Sequence, residues 1–473
     1  MNGIWDYANC QYNIAILDEY GHKVTYQEIE IISKSLGGII DKRCLVFSLC
    51  RNTIGSVCGY AAFMDNNIVT VLLSSQLNEE LLDKLISVYK PDFLWIPTCM
   101  SKKFNDLLCV YSCYDYSLLK TKFDNIYLLN NELALLLTTS GSTGSPKFVR
   151  QSYINLIDNA HSIVEYLKIN SKERPITSLP MNYVYGLSVI NSHFMVGATI
   201  LVTEKSIMQK EFWQFCKDAE ATSLAGVPYT YEMLDRLRFY RMDLPRLHTL
   251  TQAGGKLLPE LQEKFARYAE ENGKKFVVMY GAAEATARMG YLPPEMAVRK
   301  KGAMGVAIPG GNFSLIDEDG KEIIEPNITG ELVYMGKNVT LGYAECGEDL
   351  IKGDERNGVL YTGDMARFDE DGFYYIVGRK KRFLKIYGNR VNLDEIERLI
   401  KGKFSIEAAT TGMDDHLYIF VTDSKYVPEI KSFIVSLTKL YQAAFKVAVI
   451  DEIPKNSSGK PLYNELMKFV QAR

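Results

Sequence analysis

The chain has 473 residues, of which 47% are hydrophobic and 23% charged, an ordinary composition for a folded protein with a large core. The formal net charge of −3 excludes a global basic field that would attract nucleic acid or an anionic membrane surface. The longest apolar runs, near residues 57–64 and 194–202, are shorter than the roughly 20 residues that span a bilayer. We therefore expect no nucleic-acid partner and no membrane span.

The cysteines and the first residues of the chain favour a cytoplasmic location. The nine cysteines are scattered, and no arrangement of Cys and His completes a zinc site. Reduced thiols of this kind are typical of the cytosol. The segment from Met1 to Asp6 also lacks the basic and apolar regions of a secretory signal peptide.

Short β-branched runs alternate with amphipathic segments up to about residue 310, which predicts an α/β fold with mixed, mostly parallel sheets. One expected helix follows Asn78, which can cap its first turn, and another covers Glu260–Glu271. The expected strands are Leu45–Cys50, Ile68–Leu73, Leu133–Leu137, Ala198–Thr203 and Phe276–Met279.

The pattern changes to antiparallel β structure at about residues 310–380. Asp319-Gly320 lies between the strand-like runs Asn312–Ile316 and Lys321–Ile324. Asp371-Gly372 lies in the same way between Ala366–Phe368 and Phe373–Val377. Because Asp-Gly between such runs indicates a hairpin, we expect an antiparallel β subdomain at the end of a large N-terminal domain formed by residues 1–380.

Residues 381–473 are expected to form a small α+β C-terminal domain. The charged residues 379–382 mark the predicted boundary, although a solvated surface run would explain the same charges. The expected elements are a helix at Leu393–Lys401, a strand at Leu417–Thr422, a long helix near Glu429–Ala444 and a strand at Lys446–Ile450.

A glycine- and hydroxyl-rich loop directly follows the predicted strand Leu133–Leu137 and precedes a helix-like segment, Ser152–Tyr166. The loop contains Thr139-Ser140-Gly141-Ser142-Thr143-Gly144 and ends at Lys147. Glycines let successive backbone N–H groups point at one place, and the hydroxyls and the lysine add donors and a positive charge. The loop therefore suits a polyphosphate, and a flexible linker is the alternative. Its spacing differs from that of a Walker A loop.

A second group of residues, Tyr280-Gly281-Ala282-Ala283-Glu284, follows the predicted strand Phe276–Met279. Strand ends are where ligands bind in α/β folds. Tyr280 can stack on a purine, and Glu284 can hold Mg²⁺, which prefers oxygen ligands and the phosphates of a nucleotide. A glutamate at a helix start beside a core tyrosine is the alternative interpretation.

Together these motifs resemble those of the adenylate-forming superfamily, which contains acyl-CoA synthetases, luciferases and peptide-synthetase adenylation domains. The loop is similar to the family's phosphate loop, and Tyr280–Glu284 is similar to its Tyr-Gly-x-Thr-Glu motif, with Ala283 in place of the usual threonine. The resemblance extends in the family's order from about residue 24 to residue 467. Its further matches are Gly254-Gly255, Tyr361-Thr362-Gly363-Asp364, Gly378-Arg379 and Pro454–Leu462 around Lys460.

The resemblance implies that the protein activates a carboxylic acid with ATP, forming acyl-AMP and pyrophosphate, and then transfers the acyl group to the thiol of coenzyme A. It implies ATP and Mg²⁺ as cofactors, with Glu284 as the magnesium ligand. It also implies that Lys460 is catalytic, because a cation between the substrate carboxylate and the α-phosphate stabilises the meeting of two anions. The implied nucleotide-binding residues are Thr139, Ser140, Gly141, Ser142, Thr143, Gly144 and Lys147 at the phosphates, Gly254, Gly255 and Tyr280–Ala283 near the adenine, and Asp364 and Arg379 at the ribose.

The second half of the implied reaction involves a mobile C-terminal domain. Lys381 occupies the family's hinge position, and Gly388 lies in the segment that enters the site for thiol transfer. A hinge needs an exposed residue that tolerates altered backbone angles. The acceptor is either coenzyme A or the phosphopantetheine arm of a carrier protein, because both end in the same thiol.

The acid itself is predicted only as a small carboxylic acid. Tyr183, Tyr185 and Val227 are candidates for the walls of its pocket, and core packing explains them equally well. The aspartate with which amino-acid-activating relatives pair an α-ammonium is not visible, which disfavours amino acids. Two other functions stay open: an adenylation enzyme that loads an acyl or amino acid onto a carrier protein, and a degenerate nucleotide-binding protein without activity.

Overall fold

The computed structural model describes residues 5, 9–138, 147–387, 389–455 and 461–471. The strands of this part of the chain are β1 (Ile14–Asp18), β2 (Lys23–Thr25), β3 (Leu45–Cys50), β4 (Val69–Ser74), β5 (Phe93–Pro97), β6 (Leu108–Cys113), β7 (Tyr116–Lys120), β8 (Leu133–Thr138), β9 (Phe148–Ser152), β10 (Pro175–Ile176), β11 (Ile200–Val202), β12 (Ser223–Gly226), β13 (Thr249–Gln252), β14 (Lys275–Tyr280), β15 (Gly290–Tyr291), β16 (Val306–Ala307), β17 (Asn312–Ile316), β18 (Gly330–Met335), β19 (Gly342–Ala344), β20 (Val359–Phe368), β21 (Tyr374–Arg379), β22 (Phe383–Ile386), β23 (Asn389–Asn392), β24 (Ala408–Met413), β25 (His416–Val421) and β26 (Phe445–Val449). The α-helices are α1 (Tyr26–Ile39), α2 (Ile54–Asp65), α3 (Glu79–Tyr89), α4 (Tyr153–Leu167), α5 (Val184–Phe194), α6 (Lys210–Asp218), α7 (Pro228–Arg236), α8 (Pro259–Glu271), α9 (Leu393–Phe404), α10 (Val427–Thr438) and α11 (Tyr463–Gln471).

Two large sheets with parallel centres and antiparallel edges form the body of the protein. One has the strand order β16-β15-β14-β13-β12-β10-β11-β1-β2, and pairing is parallel from β14 to β1. The other has the order β19-β9-β8-β4-β3-β5-β7-β6, and pairing is parallel from β8 to β5. The predicted α/β fold with mixed sheets is therefore confirmed.

The distribution of apolar residues decides where each helix lies. Helix α2 is apolar all round, and every residue from Ile54 to Met64 is buried in the core between the two sheets. Helices α3 and α8 are amphipathic, and each packs one apolar face on the outside of a sheet. Asn78 caps α3 as predicted, since its side chain accepts a hydrogen bond from the backbone N–H of Leu81 at 3.3 Å. Within the described residues, no helix combines the length and apolarity needed to cross a bilayer.

The antiparallel part predicted at about residues 310–380 is a four-stranded sheet of order β17-β18-β20-β21. The hairpin at Asp371-Gly372 joins β20 and β21 as expected, and Gly372 has a φ of +78°. The strand predicted at Lys321–Ile324 is wrong, because β17 pairs with β18 instead and Glu322 contributes only an isolated bridge to Ile316. Pro326, which lacks a backbone donor, and Asn327, with a φ of +65°, turn the chain away before a strand can form.

The surroundings of the phosphate loop also differ from the prediction. We expected the loop to lead from a strand into a helix, but it joins two antiparallel strands, because Leu137 of β8 pairs with Val149 of β9. Helix α4 begins only at Tyr153, after Ser152 has capped it. Every residue from Phe148 to Ser152 is buried in a strand that was not predicted, whereas the predicted helix-like segment Ser152–Tyr166 corresponds to α4.

Residues beyond 382 have a hydrophobic core of their own, which includes Ile396, Ile400, Leu417, Ile419 and Ile430. The predicted helix at Leu393–Lys401 and strands at Leu417–Thr422 and Lys446–Ile450 correspond to α9, β25 and β26. The long helix expected at Glu429–Ala444 is wrong in extent, because α10 ends at Thr438 where Lys439 adopts a left-handed conformation.

Candidate functional site

The carboxyl edge of the first sheet gathers several of the predicted site residues. Strands β12, β13 and β14 are parallel neighbours and end at Gly226, Gln252 and Tyr280. Val227, the glycine pair 254–255 and the segment Tyr280–Glu284 come directly after these ends. These residues therefore lie together at the edge where ligands bind in open α/β sheets.

Gly254 is the place where the candidate nucleotide and acid residues meet. A Cβ atom there would lie 2.6 Å from the Tyr183 hydroxyl oxygen and 3.0 Å from Val227 Cγ1, and its φ is +83°. Only glycine fits this position. The Tyr183 ring lies edge-on to the Tyr185 ring at 6.3 Å between centroids, and the Tyr185 hydroxyl is 2.8 Å from Thr251 Oγ1. The structure thus brings Tyr183, Tyr185 and Val227 together.

A first polar cluster surrounds Asp364, which is 5% exposed. Strands β20 and β21 pair Asp364 with Arg379, and Arg379 Nε lies 2.7 Å from Asp364 Oδ1. The Tyr280 hydroxyl donates a short hydrogen bond to the other carboxylate oxygen. Burial, followed by the Asp364 charge, raises the pKa of Tyr280 well above its ordinary value. Three of the predicted residues therefore form one group, with a buried carboxylate at its centre and a largely exposed arginine at its rim.

A second cluster surrounds Tyr343 of β19. Its hydroxyl donates a hydrogen bond to Glu284 Oε1 at 2.8 Å. Lys147 Nζ lies 3.8 Å from the centre of the ring, and Arg356 Cζ lies 4.7 Å from it. Burial, and then the Glu284 charge, raises the pKa of Tyr343 to about 12. Tyr343 thus connects Lys147, where the phosphate loop ends, with Glu284.

Arg150 holds this second cluster in place. Strand β19 pairs with β9, so that Tyr343 lies opposite Val149. The Arg150 side chain has 0% exposure, and it donates to the Tyr343 carbonyl at 3.0 Å and to Glu355 at 2.5 Å. Sequence reasoning missed Arg150, Tyr343 and Arg356. An arginine inside an apolar strand was the one local signal, since nothing near Tyr343 in the sequence indicates its partners.

The segment Tyr280–Glu284, which connects the two clusters, is closely packed against its neighbours. A Cβ atom on Gly281 would lie 1.6 Å from the carbonyl oxygen of Ala287, so this glycine is required by packing. Ala282 precedes a short 3-10 turn, Ala283–Ala285, that carries Glu284. Ala283 offers only its backbone here, and its carbonyl accepts a hydrogen bond from Gln151 at 3.4 Å. Gly255 lies against Pro228, since a Cβ atom added to Gly255 would be 3.1 Å from the proline ring.

Several predicted residues lie outside the described part of the chain: Thr139, Ser140, Gly141, Ser142, Thr143, Gly144, Gly388 and Lys460. Lys381 is described and exposed, in a 3-10 turn between β21 and β22. No group of three or more Cys, His, Asp or Glu side chains that could hold a metal ion occurs within the described residues. A cation at Glu284 would therefore need further oxygen ligands from other groups, such as a bound molecule or water, as Mg²⁺ commonly has.

Known proteins resemble the chain over much of its length. A family described as AMP-binding enzyme matches residues 8–344. The chain is 30% identical over 355 residues to the peroxisomal OPC-8:0-CoA ligase 1 of Arabidopsis thaliana, covering 72% of this chain and 64% of that protein. It is 28% identical over 342 residues to an oxalate–CoA ligase of the same plant, covering 69% of this chain and 65% of that protein. The matches thus span less than two thirds of the length of either relative.

Among solved structures, the o-succinylbenzoate CoA synthetase of Bacillus subtilis in complex with its acyl-adenylate intermediate superposes with a TM-score of 0.79. The sequences are 22% identical, and the alignment covers 96% of this chain and 95% of the other. This similarity establishes a shared fold over nearly the whole chain. Because the family match also covers well over half of the residues, the chain belongs to the family of AMP-binding enzymes.

Proposed function

We propose that this protein is an AMP-forming acyl-CoA ligase, which joins a small carboxylic acid to coenzyme A at the expense of ATP. One observation supports this proposal above the others. The cluster at Asp364 and the cluster at Tyr343 lie at the two ends of the short segment Tyr280–Glu284. A nucleoside would match the buried carboxylate at the Asp364 end, and a polyphosphate would match the positive charges around Tyr343 at the other end.

The Asp364 end suits the ribose and the base. A carboxylate only accepts hydrogen bonds and has two oxygens, so it fits the two hydroxyls of a ribose. Arg379 can pass from Asp364 to the ribose or a phosphate, because most of its side chain is exposed. We propose that Tyr280, the glycine pair 254–255 and the backbone of Ala282 and Ala283 surround the adenine.

The Tyr343 end suits the phosphates. Lys147 supplies a positive charge next to the hydroxyl-rich residues 139–144, for which we propose contacts with the β- and γ-phosphates. Glu284 would hold Mg²⁺, which supplies further positive charge to the phosphates when it is bound. The Tyr343 hydroxyl occupies one oxygen of Glu284 and so fixes the direction in which the other oxygen points.

In the first half of the reaction, an oxygen of the substrate carboxylate attacks the α-phosphorus of ATP. The bond from that phosphorus to the bridging oxygen breaks, and pyrophosphate leaves. We propose that Lys460 lies between the two anions and lowers the barrier. The acid would lie among Tyr183, Tyr185 and Val227, beside Gly254.

In the second half, the sulfur of coenzyme A attacks the acyl carbon, the bond to AMP breaks and the thiol proton is released. We propose that residues 381–473 turn about Lys381, withdraw Lys460 and bring Gly388 to the thiol. Lys460→Ala is then expected to abolish ATP–pyrophosphate exchange but to spare thioester formation from supplied acyl-AMP. Equal loss of both half-reactions would contradict the turning scheme.

Coenzyme A is favoured over a carrier protein because the relatives named above are both coenzyme A ligases. A degenerate protein without activity is disfavoured because Asp364, Arg379, Glu284 and Lys147 all lie in organised contacts.

Pyrophosphate release with ATP, measured over a panel of aliphatic, aromatic and amino acids, tests the proposal. Release should require one class of acid and should be accompanied by thioester when coenzyme A is present. Asp364→Ala is expected to raise the ATP concentration needed for half-maximal release. Absence of pyrophosphate release with every acid would refute the proposed activity. Release without thioester formation from free coenzyme A would point to a carrier protein.

A further inference from the structure

Arg288 is a buried cation that the proposed mechanism does not use. It follows the Tyr280–Glu284 segment and is 2% exposed. Within the described residues, no carboxylate forms an ion pair with it. Arg150, the other buried arginine among the side chains that the structure describes, pairs with Glu355 at 2.5 Å. Because a buried charge is strongly unfavourable unless it is paired, the difference between the two arginines needs an explanation.

The described partners of the Arg288 guanidinium are neutral. Its Nε donates to Ser188 Oγ at 3.2 Å, and its Nη1 donates to the Tyr166 hydroxyl at 2.9 Å and toward Met279 Sδ at 3.2 Å. The guanidinium carbon also lies 5.2 Å from the centre of the Tyr185 ring. These contacts orient the group and leave Nη2 without an acceptor from the described residues. Neutral hydroxyls compensate a buried positive charge only in part.

The position of Arg288 relates it to the candidate acid pocket. Tyr185 contacts Tyr183 of that pocket and also lies against Arg288. Tyr185, Val227, Ala225 and Val189 belong to one apolar cluster. Ala225, Val189 and Arg288 in turn line a cleft that is open to solvent. Arg288 is therefore separated from Tyr183 of the candidate acid pocket by the side chain of Tyr185.

The other ionisable groups of the cleft leave the arginine unopposed. Burial lowers the pKa of His193 to about 4, so that this side chain is neutral at physiological pH. Its Nδ1 is 2.8 Å from the carbonyl oxygen of Val189. Glu173, the carboxylate among the lining residues, lies 3.5 Å from His248. Lys275 also lines the cleft. The interior of the cleft is thus positive at Arg288.

We infer that Arg288 binds a second carboxylate on the acid substrate, so that the preferred substrates are dicarboxylic acids. This inference rests on the proposed function. Nη2 carries N–H groups that can donate charge-assisted hydrogen bonds to a carboxylate, and Ser188 and Tyr166 hold the guanidinium in a fixed direction for that purpose. An acid that ends in a methyl group would leave the arginine buried and unpaired. An acid that ends in an ammonium group would be repelled.

The test compares acids that differ only in a terminal methyl or a terminal carboxylate: butyrate with succinate, pentanoate with glutarate, and hexanoate with adipate. ATP–pyrophosphate exchange gives kcat/KM for each acid. The dicarboxylic member of at least one pair should be preferred by about tenfold or more, which is the usual effect of a hydrogen bond between charged groups. Arg288→Gln should abolish or reverse that preference, and Arg288→Lys should keep part of it.

Arg267→Gln is the matched control, because Arg267 lies on the surface and pairs with Glu263. It should leave the preference unchanged. A purely structural role of Arg288 would lower exchange with both members of a pair equally, and that result would overturn the inference. If Arg288→Gln does not fold, the wild-type comparison decides alone, since a preference for the monocarboxylic acids is then the contradicting result. Exchange with monocarboxylic acids only would overturn the inference and leave the proposed function intact. Absence of exchange with every acid, amino acids included, would overturn both.

Discussion

Replacing Tyr343 with phenylalanine removes the hydroxyl that touches Glu284 and keeps the ring that lies under Lys147 and Arg356. A hydrogen bond to a charged group contributes about 1.5–3 kcal/mol when it is buried. Since Tyr343 and Glu284 are both only half-buried, we expect a contribution near or somewhat below the lower end of that range, about 1–2 kcal/mol. Such a change corresponds to a factor of about 5 to 30 in an equilibrium constant.

The loss should appear in the binding of magnesium, because the hydroxyl fixes the direction of the Glu284 carboxylate. ATP–pyrophosphate exchange titrated with Mg²⁺ should give a half-saturation raised by about 5- to 30-fold in Tyr343→Phe. Tyr343→Leu should bind magnesium more weakly still, since it also removes two cation–ring contacts of about 0.5–1 kcal/mol each.

Tyr374→Phe is the matched control. Tyr374 is also half-buried, and its hydroxyl donates to the carbonyl of Phe313 at 3.2 Å instead of to Glu284. The magnesium concentration that Tyr374→Phe needs for half-saturation should equal that of the wild type. If Tyr343→Phe also keeps the wild-type requirement, Tyr343 does not orient Glu284 and the reasoning about this end of the site is wrong.

Three further outcomes are expected. Arg150→Met should lower the free energy of unfolding in urea by about 3 kcal/mol, because it leaves the carbonyls of Tyr343 and Leu341 without their donor, and each unsatisfied buried acceptor costs about 1–3 kcal/mol. An unchanged midpoint would contradict this. Lys381→Pro should change the rates of adenylation and thioester formation unequally, by about tenfold or more, if the chain turns there. Burial, and then Arg398, lowers the pKa of Lys256 to about 8 from its ordinary 10.5. The folded protein therefore binds fewer protons than the unfolded chain between these two pH values. Its thermal midpoint should rise with pH over this range, and Lys256→Met should remove that rise.

Of the two proposed ends of the site, one for the nucleoside and one for the phosphates, the nucleoside end was predictable because its parts are local in sequence. Asp364 and Arg379 belong to one hairpin, and the Asp371-Gly372 turn that joins its strands is a strong signal. Once the hairpin is known, its register places the carboxylate opposite the arginine. Tyr280 follows from the rule that ligands bind at strand ends.

The phosphate end was predictable only in part. Glu284 and Lys147 were found from their motifs, but the residue that connects them was not. Tyr343 lies on a strand of three residues, Gly342–Ala344, which pairs with β9 far away in the sequence. A strand this short carries no periodicity, and long-range pairing leaves no local trace. Arg288 was missed for the same reason, since its burial depends on α4, α5 and β14 together.

The contacts around residues 379–382 restrict where a turning point can lie. Arg379 is joined to Asp364 of the large part of the chain at 2.7 Å. Arg382 is bound to the small part, because it pairs with Asp394 at 2.8 Å, donates to the Thr410 carbonyl at 2.7 Å and lies 3.7 Å from the Tyr463 ring.

Since Tyr463 begins α11, the contacts of Arg382 connect three elements of the small part: α9, β24 and α11. A movement that kept both sets of contacts would have to occur between Arg379 and Arg382, and Lys380 and Lys381 are the exposed residues between them. The hydrogen bond from the Arg379 backbone N–H to Asp394 Oδ2, 3.1 Å long, crosses this point and would have to break. These contacts support the proposed hinge at Lys381 independently of any motif. Arg382→Gln is therefore expected to loosen the connection between α9 and α11, and hydrogen exchange in α11 would detect it, whereas unchanged exchange there would mean that the two helices are held together by other contacts.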